Sequence, residues 1–283
     1  MEWDAPAIVL DVRPYGEGDA LATVMTEAHG AHRGLARGGA SRAQAGVWQA
    51  GNLAQVRWVA RLSDQLGSFT AELIHPAAAL AMDDPLALAL LTSACAVAAG
   101  ALADREPHPR VFAGLLGLIA RLGGATGAAS LAELVRWEAG LLAELGYGLD
   151  IAACAVTGAT ENLAYVSPRT GRAVSAAAAG IWKERLLPLP GFLARDPALP
   201  PLPPAGEGRA EGETGPAAPS PPPSPAGGSG GSFADCRDGL ALTGHFLARD
   251  AFGLHHKPLP QARAMLYDRV AALALTETPP DAG

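Results

Sequence analysis

The spacing of apolar residues along this chain changes period once, near residue 80, and that change dictates two unlike architectures joined in series. Before it, the repeat is two. Ala54, Val56, Trp58, Ala60 and Leu62 fall on one side of a strand over 54–62, and Gln55, Arg57, Val59 and Arg61 on the other. Ile8, Leu10 and Val12 likewise share a face, Ala20–Thr26 reads as a second strand, and Phe69, Ala71 and Leu73 point inward from a later one. Short alternating strands separated by Gly-rich turns predict a small closed or partly closed β-barrel over residues 1–78.

After residue 79 the repeat becomes helical. Asp84-Pro85 is a strong helix entry, a capping carboxylate followed by proline at the first helical position, and opens a helix to about Ala103. A second helix is predicted over His108–Leu122. A third starts at Ser130, whose hydroxyl and Glu133 have the spacing of a capping box, and ends at Gly146. Together these define a helical domain over 79–150, followed by a short irregular module over 151–195. Residues 196–232 hold eleven prolines and the run Gly227-Gly228-Ser229-Gly230-Gly231-Ser232, a composition expected of a disordered linker. Helices return over 233–283, at about 238–249 and 260–275. Two short helices have little to pack on by themselves, so they are expected to dock on the helical domain.

Charge is the second constraint. No acid occurs between Ala28 and Ser63, whereas Arg33, Arg37, Arg42, Arg57 and Arg61 all do. That stretch is +5 in a chain that is −7 overall. A basic zone on an acidic protein is the footprint of a polyanion site, and also that of an ordinary solvated face. Period two puts Arg33 and Arg37 on one face and Arg57 and Arg61 on the non-core face of their strand. Gly34, Gly38 and Gly39 would let a backbone approach a ligand closely. Trp48 is the candidate stacking platform for a base, or else a core or rim tryptophan. Trp58 is assigned to packing.

Enzymatic and metal motifs are sparse. There is no phosphate-binding GxxxxGK[ST] loop, no HExxH and no dinucleotide fingerprint. The GxSxG pattern at Gly227–Gly231 lies in the linker without a preceding strand, so no nucleophile is read there. Cys95, Cys154 and Cys236 are too few and too scattered for a disulfide framework, which points to a reducing cytoplasm. Cys154 resembles the start of a zinc knuckle, but Thr157 stands where the second cysteine is needed. No zinc or other cofactor is expected. The N-terminus lacks the pattern of a signal peptide, and the apolar run Leu86–Leu102 reads as a buried helix.

The order of several short motifs resembles the RecO family of bacterial DNA-repair recombination mediators, in an alphaproteobacterial-like form. They include Arg13-Pro14-Tyr15-Gly16-Glu17-Gly18-Asp19, His29-Gly30, Arg33-Gly34-Leu35-Ala36-Arg37-Gly38 and Gln49-Ala50-Gly51-Asn52. Further along stand Arg136-Trp137-Glu138, Leu145-Gly146-Tyr147-Gly148, Cys154-Ala155-Val156-Thr157-Gly158, Leu242-Thr243-Gly244 and Pro260-Gln261-Ala262-Arg263.

The resemblance implies an α+β multidomain protein: an oligonucleotide-binding (OB) barrel, a helical domain and a small, here degenerate, zinc-ribbon-like module. It implies a nucleoid-associated protein that is not an enzyme. Such a protein binds single- and double-stranded DNA, anneals complementary strands and works with RecR. It takes the C-terminal tail of single-stranded-DNA-binding protein (SSB) and helps RecA load on coated strands. Many relatives carry four zinc cysteines, of which this chain keeps Cys154. Arg121 and Arg136 are candidate anchors for the tail's terminal carboxylate, or else structural. The competing reading is a protein-interaction scaffold with weak or no DNA binding, consistent with the net acidity and the presence of only two lysines.

Overall fold

The computed structural model describes residues 1–62, 65–122, 124–194 and 231–277. The expected linker over 196–232 therefore lies almost wholly outside the described residues. Five strands open the chain: β1 (Glu2–Tyr15), β2 (Asp19–Thr26), β3 (Gly30–Ala36), β4 (Leu53–Val59) and β5 (Ser68–His75). They close into a barrel in the order β1-β2-β3-β5-β4. All pairings are antiparallel except a short parallel one, where Leu35 and Ala36 of β3 meet Ser68 and Phe69 of β5.

The barrel interior is filled mostly by small residues (Ala7, Ala20, Ala22, Ala36, Ala54) around three large rings, Trp48, Trp58 and Phe69. A five-stranded barrel has a narrow interior, so alternating small and large side chains fit it. Three expectations need correcting. Leu62 is 59% exposed rather than core, because β4 ends at Val59 and the wall stops before it. Leu73 is exposed rather than inward-facing; of its alternating set on β5, Phe69 and Ala71 reach the barrel core. The single face drawn through Ile8, Leu10 and Val12 is broken by a β-bulge between Val9 and Asp11. One extra residue flips the alternation. Val9 and Val12 join the barrel core, while Ile8 and Leu10 face the helices.

The helical part contains α1 (Ala77–Leu80), α2 (Pro85–Ala101), α3 (Pro109–Ala120) and α4 (Ala128–Glu144). Asp84 caps α2 as expected, accepting from the Leu86 and Ala87 N–H groups at 2.8 and 3.2 Å. The capping box at Ser130 does not form. Helix α4 begins two residues earlier, after Gly127, and Glu133 is occupied by two arginines. A small sheet in the order β7-β6-β8 follows, built from β6 (Leu163–Val166), β7 (Ala173–Ser175) and β8 (Leu187–Pro188). Two four-residue helices, α5 (Ala176–Ala179) and α6 (Gly191–Ala194), flank it.

Helices α7 (Phe233–Phe246) and α8 (Gln261–Glu277) complete the core, with α7 packed on α4 and α8 on α2. Helix α7 starts earlier than the apolar pattern indicated, because Ser232 and Asp235 form a reciprocal capping box. It then passes into a wider π-helical turn over Leu247–Phe252.

Barrel and helices meet at the β2–β3 hairpin. Gly30 has φ +64°, and a Cβ there would lie 2.0 Å from the Glu106 carbonyl oxygen, so only glycine fits. Beside it the Arg105 N–H donates to Ala31 O at 2.6 Å. Ile8, Leu10, Met25 and Ala31 belong to the same buried cluster as α2, α3, α4, α7 and α8.

Candidate nucleic-acid interface

The arginines of the acid-free stretch all reach the barrel surface, but their surroundings differ. Arg33 projects outward from β3, opposite Thr23 of β2. Arg37 and Arg42 follow β3 on a loop tied to the β1–β2 turn. There the Gly38 N–H donates to Asp19 Oδ1 at 2.7 Å and the Ala40 N–H to Gly18 O at 3.1 Å. Arg61 lies just after β4. All four are exposed, and none forms an ion pair among the described residues.

Arg57 is different. Its Nη2 is 2.7 Å from Glu2 Oε2, and its register partner on β1 is Asp4. Glu2 in turn is held below the usual carboxylate range, first by the Arg57 hydrogen bond and then by its charge. An arginine already matched to a carboxylate offers a phosphate less. The strand order also separates the two rows. β5 stands between β3 and β4, so Arg33 and Arg57 do not share one continuous strand pair.

Trp48 is not a surface platform. It is 5% exposed, and its ring stacks on Phe69 at 6.0 Å between centroids, inside the barrel. The reason is the anchoring of its loop. Asn52 is buried; its Nδ2 donates to Gly46 O at 2.8 Å, and its Oδ1 accepts from Ala78 N–H at 3.0 Å. Gly51 and Asn52 also exchange backbone hydrogen bonds with Val9 at the bulge. These bonds fold the loop inward over the barrel. Two of the three glycines, Gly34 on β3 and Gly39 on the loop, serve packing too. A Cβ on Gly34 would lie 2.6 Å from the Phe69 ring, and one on Gly39 2.9 Å from Ala36 Cβ. Trp58 is internal as expected, with its Nε1 donating to Leu66 O at 2.9 Å.

The two proposed tail anchors converge on one acid. Arg121 Nη1 is 2.5 Å from Glu133 Oε2, and Arg136 Nη1 is 3.1 Å from Oε1. Arg136 also lies over the Phe192 ring at 5.3 Å. Sequence spacing alone did not reveal this shared carboxylate, because Arg121 lies on the segment after α3 and Glu133 on α4.

At the small sheet, the residues around Cys154 do not fit zinc. The Cys154 turn is closed by the Gly158 N–H donating to Cys154 O at 2.8 Å, with Gly158 at φ +73°. The sulfur instead meets donors. Hydrogen bonds from the Thr157 and Ser175 side chains and from the Ser175 N–H, at 3.3 Å, lower its pKa to about 6. Among the described residues no group of three His, Cys, Asp or Glu could hold a metal ion. The same residues contain no helix long and apolar enough to cross a membrane.

Comparison with known proteins agrees with this architecture. Residues 1–77 match the family described as Recombination protein O N terminal, and residues 82–205 the one described as Recombination protein O C terminal. The chain is 56% identical over 277 residues to the DNA repair protein RecO of Granulibacter bethesdensis, covering 98% of each chain. It is 54% identical to the RecO of Acidiphilium cryptum, over 95% of this chain and 96% of the relative. With the RecO of Gluconacetobacter diazotrophicus the identity is 49%, over 99% and 100%. With both halves matched in order and relatives covered almost end to end, this chain belongs to the RecO family of DNA repair and recombination proteins.

Proposed function

We propose that this chain is a non-enzymatic recombination mediator whose barrel is of the OB type and binds DNA on its outer surface. One observation carries the reading: on an otherwise acidic chain, Arg33, Arg37, Arg42 and Arg61 are exposed and form no ion pair among the described residues. In an OB barrel the outer face of strands two and three and the loops 1–2 and 4–5 take the nucleic acid. Arg33 stands on that face, Arg37 and Arg42 beside the first of those loops, and Arg61 in the second.

The mechanism needs no covalent step. Each guanidinium that meets a phosphate releases condensed counterions, so affinity falls steeply with salt. Two strands held with their charge neutralised can pair, and base pairing supplies the specificity of annealing. Strands coated by SSB would be approached through its acidic C-terminal tail, with RecR as co-mediator and RecA as the protein finally loaded, in the cytoplasm. A tail carboxylate that used Arg121 or Arg136 would have to displace Glu133.

A salt titration of single-stranded DNA binding tests this. Wild type should bind at low salt with a steep log–log slope. The triple variant R33A/R37A/R42A should bind more weakly, its slope reduced by about 0.7 for each phosphate that is no longer neutralised. No binding by wild type at low salt, or an unchanged triple variant, overturns the proposal and leaves the interaction scaffold.

A further inference from the structure

The barrel surface supplies charge, but its large rings are turned inward: Trp48 and Trp58 are both buried. Of the five tryptophans in the chain, one exposes most of its side chain. Trp182 is 56% exposed and its neighbour Ile181 is 88% exposed. They sit on a single 3-10 segment, Gly180–Arg185, none of whose residues is buried. The segment is held at both ends. Ala179 and Leu186 pack into the small core around Cys154 and Val174, while Gly180, at φ +47°, turns the chain outward between them.

A 3-10 helix has three residues per turn, so side chains at i and i+3 eclipse. Trp182 and Arg185 therefore form one row, and the Arg185 guanidinium lies 5.4 Å from the centre of the Trp182 ring. Ile181 and Glu184 form another row, which carries the acid away from the ring. Lys183, one of only two lysines in the chain, completes the patch. Neither Lys183 nor Arg185 forms an ion pair among the described residues. Leaving isoleucine and tryptophan side by side in water gains nothing for folding, and such exposure marks contact surfaces.

We infer that Trp182, Lys183 and Arg185 form a second nucleic-acid contact, outside the barrel, that takes an unpaired base and its flanking phosphates. This inference rests on the reading that the chain binds DNA. The chemistry fits single strands. An indole with one face under a guanidinium has its other face free to stack a base of any sequence. Two cations at the ring are placed for the adjoining phosphates. A paired base has no free face, so duplex DNA would engage the cations alone.

The test uses the full chain, oligothymidylate and a duplex of the same length, and follows tryptophan fluorescence. Oligothymidylate should quench the emission of wild type, and W182F should lose that quench. W182A should weaken oligothymidylate binding by about fivefold or more, with duplex binding unchanged. K183A/R185A should lower the single-strand salt slope by about 0.7 for each phosphate left without its cation. R33A/R37A/R42A should weaken both DNA forms yet still show the quench at saturation. A quench that persists in W182F, or unchanged affinity in W182A while wild type binds, overturns the inference and leaves the barrel reading standing. Quenching of Trp182 by an acidic peptide with a terminal aromatic residue, but not by oligothymidylate, also overturns it. Failure of wild type to bind either DNA fells the barrel reading and this inference together.

Discussion

Arg263 of α8 and Glu138 of α4 face each other inside the helical core, Nε to Oε1 at 2.5 Å, with side-chain exposures of 1% and 0%. A second bond joins Nη2 to Oε2 at 3.0 Å, and the same Nη2 donates to Leu240 O at 2.8 Å. The Thr243 hydroxyl donates to Glu138 Oε2. Three helices that are distant in sequence are thus joined through one bidentate pair. Removing one partner strands a buried charge. E138Q or R263M should therefore destabilise the protein by about 3–5 kcal/mol in chemical denaturation. The double variant E138L/R263M should recover much of that loss. A double variant as unstable as the worse single one would contradict this account of the pair.

Trp48 and Arg57 separate folding from binding. W48A empties part of the barrel core and should cost about 3–5 kcal/mol of stability. Any loss of DNA affinity should follow the unfolded fraction. R57A removes an exposed ion pair with Glu2, so its melting temperature should barely move. Its effect on single-strand affinity should be smaller than that of R33A, measured at one low salt concentration.

His32 should give the protein an acid limb. Its ring is buried among Trp3, Trp58 and Phe69, and both of its nitrogens lack hydrogen-bond partners among the described residues. Burial, followed by the Arg105 charge, lowers its pKa to about 4 from an ordinary 6.5. The unfolded chain therefore takes up this proton first as pH falls. Stability is full above about 6.5, declines by about 1.4 kcal/mol per unit below it, and is down by roughly 3 kcal/mol near pH 4. Urea denaturation of wild type and H32F between pH 7 and 4.5 tests this. The wild-type curve should fall and the H32F curve should be flatter. Parallel curves would show that other groups set the limb.

Cys154 should behave as a thiolate without metal. Cys154 is buried, so alkylation should be slow, but its pH dependence, followed by mass spectrometry, should show a midpoint far below that of an ordinary thiol because the pKa is lowered to about 6. Burial pushes Cys95 and Cys236 up to about 12, so both should stay silent. T157V removes the principal donor and should move the Cys154 midpoint upward. A chelator should leave the melting temperature unchanged, whereas stoichiometric zinc in purified protein would refute the hydrogen-bonded thiol.

What this sequence determined by itself was local. Alternation located β4, and Asp84-Pro85 opened α2 within a residue, because a strand's facing and a helix cap depend only on near neighbours. The acid-free stretch named the cations, and four of its five arginines stand on the surface with no ion pair among the described residues. Closure of the barrel decided the rest. It brought Glu2 to Arg57 across 55 positions, which charge counting along the chain does not register. The bulge at Val9 and the clamp at Asn52 turned Trp48 inward, although its own neighbours carry no period to say so. Arg263 lies near the start of α8, and only folding brings it to Glu138 of α4. Each of these is a pairing between residues far apart in sequence, and such pairings exist only once the chain has folded.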